Sequence, residues 1–245
     1  MKFLIIEILT NTASFRNPEF QNFHKTLPLP PPTTLIGLAG AAMGLTPKAA
    51  QEFFEKSEFC FGVYGFSFGK AKDIWKYTNE VKGAKLYNHH PDFGGSVITR
   101  EILFSNRFVV CFGSNNQNAL NQLNTAFDNP KFALTVGNSD SLAFIKKIYR
   151  TEVVNKKRTF NNCVIEGDVI DNVLSNPNKS LEFSIYQTAE PVVYDLPTRF
   201  NYSEDYGIRS VSNVSTFSII TKEIKLNYDI ECVEYGNISI PICKL

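Results

Sequence analysis

The sequence predicts an α+β protein, with a ferredoxin-like domain over residues 1–154 and a β-rich extension over residues 155–245. Three observations predict it. Through residue 151, apolar runs and helical stripes follow the order strand, helix, strand, strand, helix, strand, which is the split βαβ order. Beyond that point helical signals fade and short apolar runs take over. A chain of 245 residues with 43% hydrophobic and 13% aromatic side chains also builds a large core, enough for one domain or a domain plus an appendage. The same topology supports RNA-recognition modules that stack bases on sheet aromatics. Unrelated functions share it, so topology alone assigns none.

Each element has a local reason. Residues 2–9 form a nearly continuous apolar run with β-branched Ile5, Ile6 and Ile8, suited to a central strand. A long connection over residues 10–32 carries Phe15, Arg16, Phe20, Phe23, His24 and Lys25, and a loop of that length is functional or disordered. Pro28, Pro30, Pro31 and Pro32 impose an extended approach. Thr33 or Thr34 then caps a helix over residues 33–43. Its Gly37, Gly40 and Gly44 imply close packing of Gly40 on the sheet or a neighbouring backbone, since each glycine costs about 1 kcal/mol in a helix. A second helix starts at Pro47. Residues 59–68 alternate aromatic and small residues and read as a strand with bulges. Residues 70–96 are polar and irregular. Residues 97–104 and 108–113 read as strands joined at Ser105-Asn106-Arg107. Ala119, Leu120, Leu123 and Phe127 stripe a helix that Asn129-Pro130 ends. Strands over 132–136 and 142–151 flank a turn at Gly137-Asn138-Ser139-Asp140.

Composition excludes several classes. A net charge of +1 rules out binding nucleic acid by bulk charge. Charge is nevertheless segregated: residues 144–160 carry Lys146, Lys147, Arg150, Lys156, Lys157 and Arg158 against Glu152 alone, while residues 161–205 are acidic. A basic face and an ordinary solvated surface both fit that pattern. Five widely spaced cysteines contain no Cys-x-x-Cys, which supports neither zinc nor redox chemistry and suits a reducing cytoplasm. No apolar run approaches a membrane span, and residues 1–9 lack the shape of a signal peptide. A soluble cytoplasmic protein with no cofactor is expected.

No enzyme motif is present: there is no phosphate loop, no His-Glu-x-x-His and no Gly-x-Ser-x-Gly. Lys85, Tyr87, His89 and His90 cluster, and these types can activate a 2′-hydroxyl and protonate a leaving oxygen. A solvated or phosphate-touching loop is the commoner reading of such a pair of histidines. Lys70, Lys72, Lys76, Lys82 and Lys85 interleave with Trp75, Tyr77 and Tyr87, and Arg16 with Phe15, a combination that neutralises phosphates and stacks bases. A structural reading, with the aromatics in the core and the lysines in water, stays open.

Three segments carry a resemblance. They are Pro28-Leu29-Pro30-Pro31-Pro32-Thr33-Thr34-Leu35-Ile36-Gly37-Leu38-Ala39-Gly40-Ala41-Ala42, Thr99-Arg100-Glu101-Ile102-Leu103, and Pro130-Lys131-Phe132-Ala133-Leu134-Thr135-Val136-Gly137-Asn138-Ser139. In this order they resemble the fifth Cas family, the RAMP-type subunit of type I CRISPR interference complexes, over roughly residues 1–150. The resemblance implies a RAMP fold with residues 70–96 as a hairpin or loop "thumb". It implies a non-catalytic subunit that caps the 5′ handle of the crRNA, docks the repeated backbone subunit and the large subunit, and meets target DNA indirectly. RNA contacts are then expected at Phe15, Arg16, Lys25, Lys70, Lys72, Trp75, Lys85, His89, His90, Arg100, Gly137, Asn138 and Ser139, with no metal. In length and catalytic inventory the chain resembles subtype I-B members more than the cleaving I-C branch. In the I-C branch the subunit cleaves the repeat with His, Tyr and Lys types, so a metal-independent endoribonuclease working at residues 85–90 is the alternative. A ferredoxin-like interaction protein without RNA is the third reading.

Overall fold

The structure, a computed structural model, describes residues 1–20, 23–78, 95–183, 191–206 and 208–244. Strand β1 (Lys2–Ala13) is buried on both faces along Phe3-Leu4-Ile5-Ile6, which places it inside the sheet. Two short strands, β2 (Phe15–Arg16) and β3 (Thr26–Leu27), pair with each other. Helices α1 (Pro32–Met43) and α2 (Pro47–Lys56) follow. The long strands β4 (Cys60–Thr78) and β5 (Gly95–Ser114), helix α3 (Gln117–Asp128) and strand β6 (Phe144–Thr151) come next. The rest comprises β7 (Asn155–Phe160), β8 (Cys163–Glu166), α4 (Val169–Leu174), β9 (Leu181–Phe183), β10 (Val192–Tyr202), β11 (Arg209–Ile220), β12 (Ile224–Tyr235), β13 (Ile238–Pro241) and β14 (Cys243–Lys244).

Strands β4-β5-β1-β6 lie side by side in that order, each antiparallel to its neighbour. Leu35 and Leu38 of α1, Phe54 of α2 and Leu123 of α3 pack with Leu4, Ile6, Val110 and Phe112 on one face. The other face presents Phe3, Ile5, Val109 and Cys111 to Val233, Ile238 and Ile240. These belong to a second sheet, β13-β12-β7, with β9 also on β12. Beyond β4 the main sheet continues through β8, β11 and β10, and β14 adds to β4 to make eight strands. Val164, Leu196, Phe217 and Ile219 share the helix-side core with residues of the first half. The core therefore runs across residue 154.

Several local expectations are corrected. Helix α1 begins one residue early, with Pro31 as N-cap and no side-chain cap, so neither Thr33 nor Thr34 caps it. Pro32 at the first helical position has no N–H to leave unsatisfied and is pre-set for helix. Gly40 does lie at a close approach, against α2 and not the sheet: a Cβ there would sit 2.7 Å from Ala50 Cβ. The glycines of β4 mark no bulge, because its register with β5 is unbroken. A Cβ at Gly62, Gly65 or Gly69 would strike Pro241, Phe108 or Phe104 respectively. Ser105-Asn106-Arg107 is not a hairpin. β5 runs through it, with Ser105 at φ +51° and the buried Asn106 amide donating to Thr10 and Leu103 carbonyls. Residues 70–78 and 95–96, expected to be irregular, are strand, so β4 and β5 extend as one arm. Residues 132–136 form no strand; one bridge, Thr135 to Leu142, is all that pairs there. Helix α4 had no expected counterpart; Asp168 caps it by accepting from Ile170 and Asp171 N–H.

Candidate nucleic-acid interface

Strand β1 leaves β5 at Ala13, which frees the β5 edge at residues 99–101. His24 takes that place: its N–H donates to the Thr99 carbonyl at 3.1 Å and its carbonyl accepts from Glu101 N–H at 2.8 Å. The loop that presents His24 is folded by Asn17, whose N–H donates to the Lys25 carbonyl at 2.8 Å and whose Oδ1 accepts from Glu19 N–H at 3.0 Å. Thr26 fixes its far end, with Oγ1 accepting from Phe15 N–H at 2.9 Å and N–H donating to Glu101 Oε2 at 3.1 Å. The long connection is thus strapped to β5.

Arg100 stands at the centre. Its Nε donates to Asp73 Oδ2 at 2.8 Å and its Nη2 to Asp140 Oδ2 at 2.6 Å. The guanidinium lies 5.4 Å from the Trp75 ring, and the residue is 9% exposed. Hydrogen bonding to Asp140, helped by Asp73 and opposed by burial, raises Arg100 further above neutrality, and Arg100 in turn draws Asp140 below the usual carboxylate range. Two carboxylates thus take two of the five N–H donors of Arg100, which makes it first a structural partner of Asp73 and Asp140.

The Gly137-Asn138-Ser139 turn delivers Asp140 to this cluster. Ser141 N–H donates to the Asn138 carbonyl at 3.0 Å and Val136 N–H to the Ser141 carbonyl at 2.8 Å. Gly137 adopts φ +91°, and a side chain there would collide with the Ser14 carbonyl. Only glycine meets both demands. Serine and threonine hydroxyls, Ser141 and Thr12, lie 3.2 Å apart across the same junction.

Around this core sits a basic and aromatic surface. Lys25 Nζ lies 4.8 Å over Phe20, Lys72 Nζ 5.9 Å from Phe23, and the His24 ring 6.4 Å from Trp75. Arg16 is exposed. Burial, then the charges of Arg16 and Arg100, hold His24 below its usual value, so His24 is neutral at pH 7. Lys70 is partly spent, with Nζ 3.3 Å from Glu101 Oε2. On the β4 arm Phe66 and Phe68 are exposed.

The structure brings Arg16, Lys25, Lys70, Lys72, Trp75, Arg100 and the 137–139 turn to one neighbourhood. Phe15 is a correction: it is 1% exposed, packed edge-on against Phe108, and unable to stack a base. Lys85, His89 and His90 lie outside the described residues, as do Lys82 and Tyr87. Much of the basic run at 144–160 is exposed but paired within the chain: Lys146 pairs with Glu7, Lys157 with Glu234 and Arg158 with Asp229, while Arg150 bonds Asn121 and Asn124. Sequence reasoning missed Asp73 and Asp140; an arginine flanked in space by two acids leaves no mark in spacing. Among the described residues no His, Cys, Asp and Glu cluster suits a metal ion, and no helix is long and apolar enough to cross a membrane.

No curated protein matches the sequence. A chain of a CRISPR RNA-guided surveillance complex is 16% identical over 90% of both chains, with a TM-score of 0.53. A chain of the Type III-B Cmr-beta complex, determined by cryo-EM with cognate target RNA and AMPPnP bound, is 11% identical over 92% of this chain and 86% of that one, with a TM-score of 0.50. A CRISPR protein from Archaeoglobus fulgidus is 13% identical over the whole of both chains, with a TM-score of 0.47. At such identities the first two share a fold with this chain. The model of the family described as CRISPR-associated protein (Cas_Cas5) matches residues 3–212, a span that holds the first four strands of the main sheet and the whole Arg100 cluster. The chain belongs to the Cas5 family of CRISPR-associated proteins.

Proposed function

We propose that this chain is the subunit of a type I CRISPR RNA-guided complex that binds and caps the 5′ handle of the crRNA without cutting it. The observation that carries the reading is the surface around Arg100, where His24 lies beside Trp75 and near the charge of Arg16, with Lys25 over Phe20 and Lys72 by Phe23. A handle is single-stranded, and single strands are held by cations on phosphates and aromatic faces on bases. The strand order β4-β5-β1-β6, with helices on one face, supports reading residues 1–154 as a ferredoxin-like RAMP unit. Residues 155–245 are then its β-rich extension, and the β4–β5 arm its thumb. The exposed Phe66 and Phe68 suit contact with RNA or the backbone subunit, and the large subunit and target DNA are reached through the assembled complex.

The test uses the full chain and repeat RNA bearing the handle. Binding is expected to weaken in Arg16→Ala and Lys72→Ala, and the salt dependence to flatten by about 0.7 per lost contact. Unchanged slopes in both variants overturn the basic face. In the same tubes, with and without magnesium, no cleavage product is expected. A discrete handle fragment that disappears in the His89→Ala, His90→Ala double variant establishes the endoribonuclease instead.

A further inference from the structure

A second cleft, of about 380 Å³, opens between α1, α2 and the adjoining ends of β10 and β11. None of the residues lining it belongs to the Arg100 cluster. Its floor includes Gly37 and Ala41 of α1, and its rim carries Phe132, Phe200, Tyr202, Tyr206 and Arg209. The volume falls within the range of small-ligand sites.

Three features mark the cleft as built for a flat, anionic guest. The first is Gly37. An exposed glycine inside a helix costs about 1 kcal/mol relative to alanine, and a packing contact normally explains it. Gly40, one turn on, has such a contact with Ala50, whereas a Cβ at Gly37 would meet nothing within 4 Å. The protein's own packing does not require the missing side chain, and its absence leaves the helix backbone open to a planar ring. The second is the rim. Tyr206 is 72% and Phe132 60% exposed, which leaves aromatic faces in water on opposite elements of one opening. The third is Arg209. Its guanidinium stacks 4.5 Å from the Phe200 ring and makes no ion pair with any described carboxylate.

The wall is held in place. Gln51 of α2 donates to the Phe200 carbonyl at 3.0 Å and accepts from Phe200 N–H at 2.8 Å. It thereby satisfies the open edge of β10 as a neighbouring strand would. Glu55 secures the adjacent Arg199 at 3.0 Å.

We propose that this cleft binds one nucleotide of a single-stranded nucleic acid. The base lies over Gly37 and Ala41 between the Tyr206 and Phe132 rings, and its phosphate meets Arg209. A protein anchor would also use an apolar floor, but the one charged side chain among the described lining residues is Arg209, a cation beside an aromatic ring, the pairing a nucleotide requires. The proposal extends the nucleic-acid reading to a second place on the molecule, and its failure is separable from failure at Arg100.

The experiment titrates adenosine, adenosine 5′-monophosphate and a four-nucleotide oligoadenylate into the full chain by calorimetry. Wild type is expected to bind the monophosphate and the oligonucleotide. Gly37→Leu fills the floor without touching the core, so it is expected to melt no lower than wild type and to lose affinity about tenfold or more, the loss of one stacked base. Arg209→Gln is expected to bring the monophosphate down to the affinity of adenosine. Lys72→Ala should leave the adenosine and monophosphate titrations unchanged while weakening handle RNA. The proposal is overturned if wild type binds none of the probes, or if Gly37→Leu binds them as wild type does. It is equally overturned if Gly37→Leu disturbs only subunit assembly, which would assign the cleft to a protein partner.

Discussion

Two carboxylates decide what Arg100 does. With Asp73 and Asp140 on its fork and Trp75 beside it, the guanidinium ties β4, β5 and the 137–141 turn into one base for the proposed RNA surface. A lysine has one point charge and cannot span both acids. Arg100→Lys and Arg100→Ala are therefore both expected to weaken handle binding by misplacing their neighbours while leaving the salt slope at its wild-type value. A slope reduced by about 0.7 would instead reveal a direct phosphate contact. His24 adds a pH signature. Burial and the charges of Arg16 and Arg100 depress its proton affinity in the free protein. A phosphate at that surface offsets the cations and raises it again. RNA binding then takes up a proton, so affinity should rise as pH falls below about 6.5, the ordinary histidine value. Affinity flat from pH 7.5 to 5.5, or a rise that survives His24→Gln, removes His24 from the contact surface.

At the scale of the element, α1 carries two glycines with opposite meanings. Gly40→Leu drives a side chain into Ala50 and is expected to cost about 1–3 kcal/mol of stability by overpacking, read as a lowered melting temperature. Gly37→Leu is expected to cost nothing. The small-residue pattern announced close packing, but only the structure separates the glycine that α2 requires from the one nothing in the chain requires. The β4–β5 arm shows the reverse limit. Strand was legible in the alternation near Phe61 and Val63, whereas polar Lys70, Lys72 and Asp73 read as loop. A two-stranded arm with exposed faces needs no apolar alternation, since its backbone pairs within the ladder. Likewise Ser105, with a positive φ, looks like a turn in sequence and is a twist inside a strand. The candidate surface was half legible for the same reason: basic and aromatic letters stood out, while the acids beside Arg100 came from distant segments.

For the whole molecule, the boundary suggested near residue 154 follows a change in composition and crosses a continuous core. Phe217 and Ile219 of β11 share the helix-side core with Phe61 of β4, and Phe61 and Phe217 rings lie 5.9 Å apart. Residues 1–154 alone would expose that apolar surface, so the full chain should melt in one transition and the truncated chain should aggregate. Two separable transitions would show that the halves fold independently. The opposite face of the sheet has its own lock. Glu7, with a side chain 4% exposed, accepts from Arg107 Nε at 2.7 Å, Tyr235 OH at 2.9 Å and Lys146 Nζ at 3.1 Å, and so joins β1, β5, β6 and β12 across both sheets. Burial alone would raise its proton affinity; the hydrogen bonds from Arg107, Tyr235 and Lys146 outweigh burial and hold it below 4.5. A carboxyl depressed in the folded state contributes its full stabilisation above the unfolded value and loses it as pH falls through the folded one. Glu7→Gln should therefore be destabilised by roughly 2 kcal/mol at pH 7, the range for hydrogen bonds to a charged group. The gap between the two proteins should close as pH drops below 4.5, where wild type loses the same charge. Denaturant unfolding at pH 7 and at pH 3.5 measures both gaps. A difference that stays constant between them would mean that the lock is packing, with no contribution from the carboxylate charge.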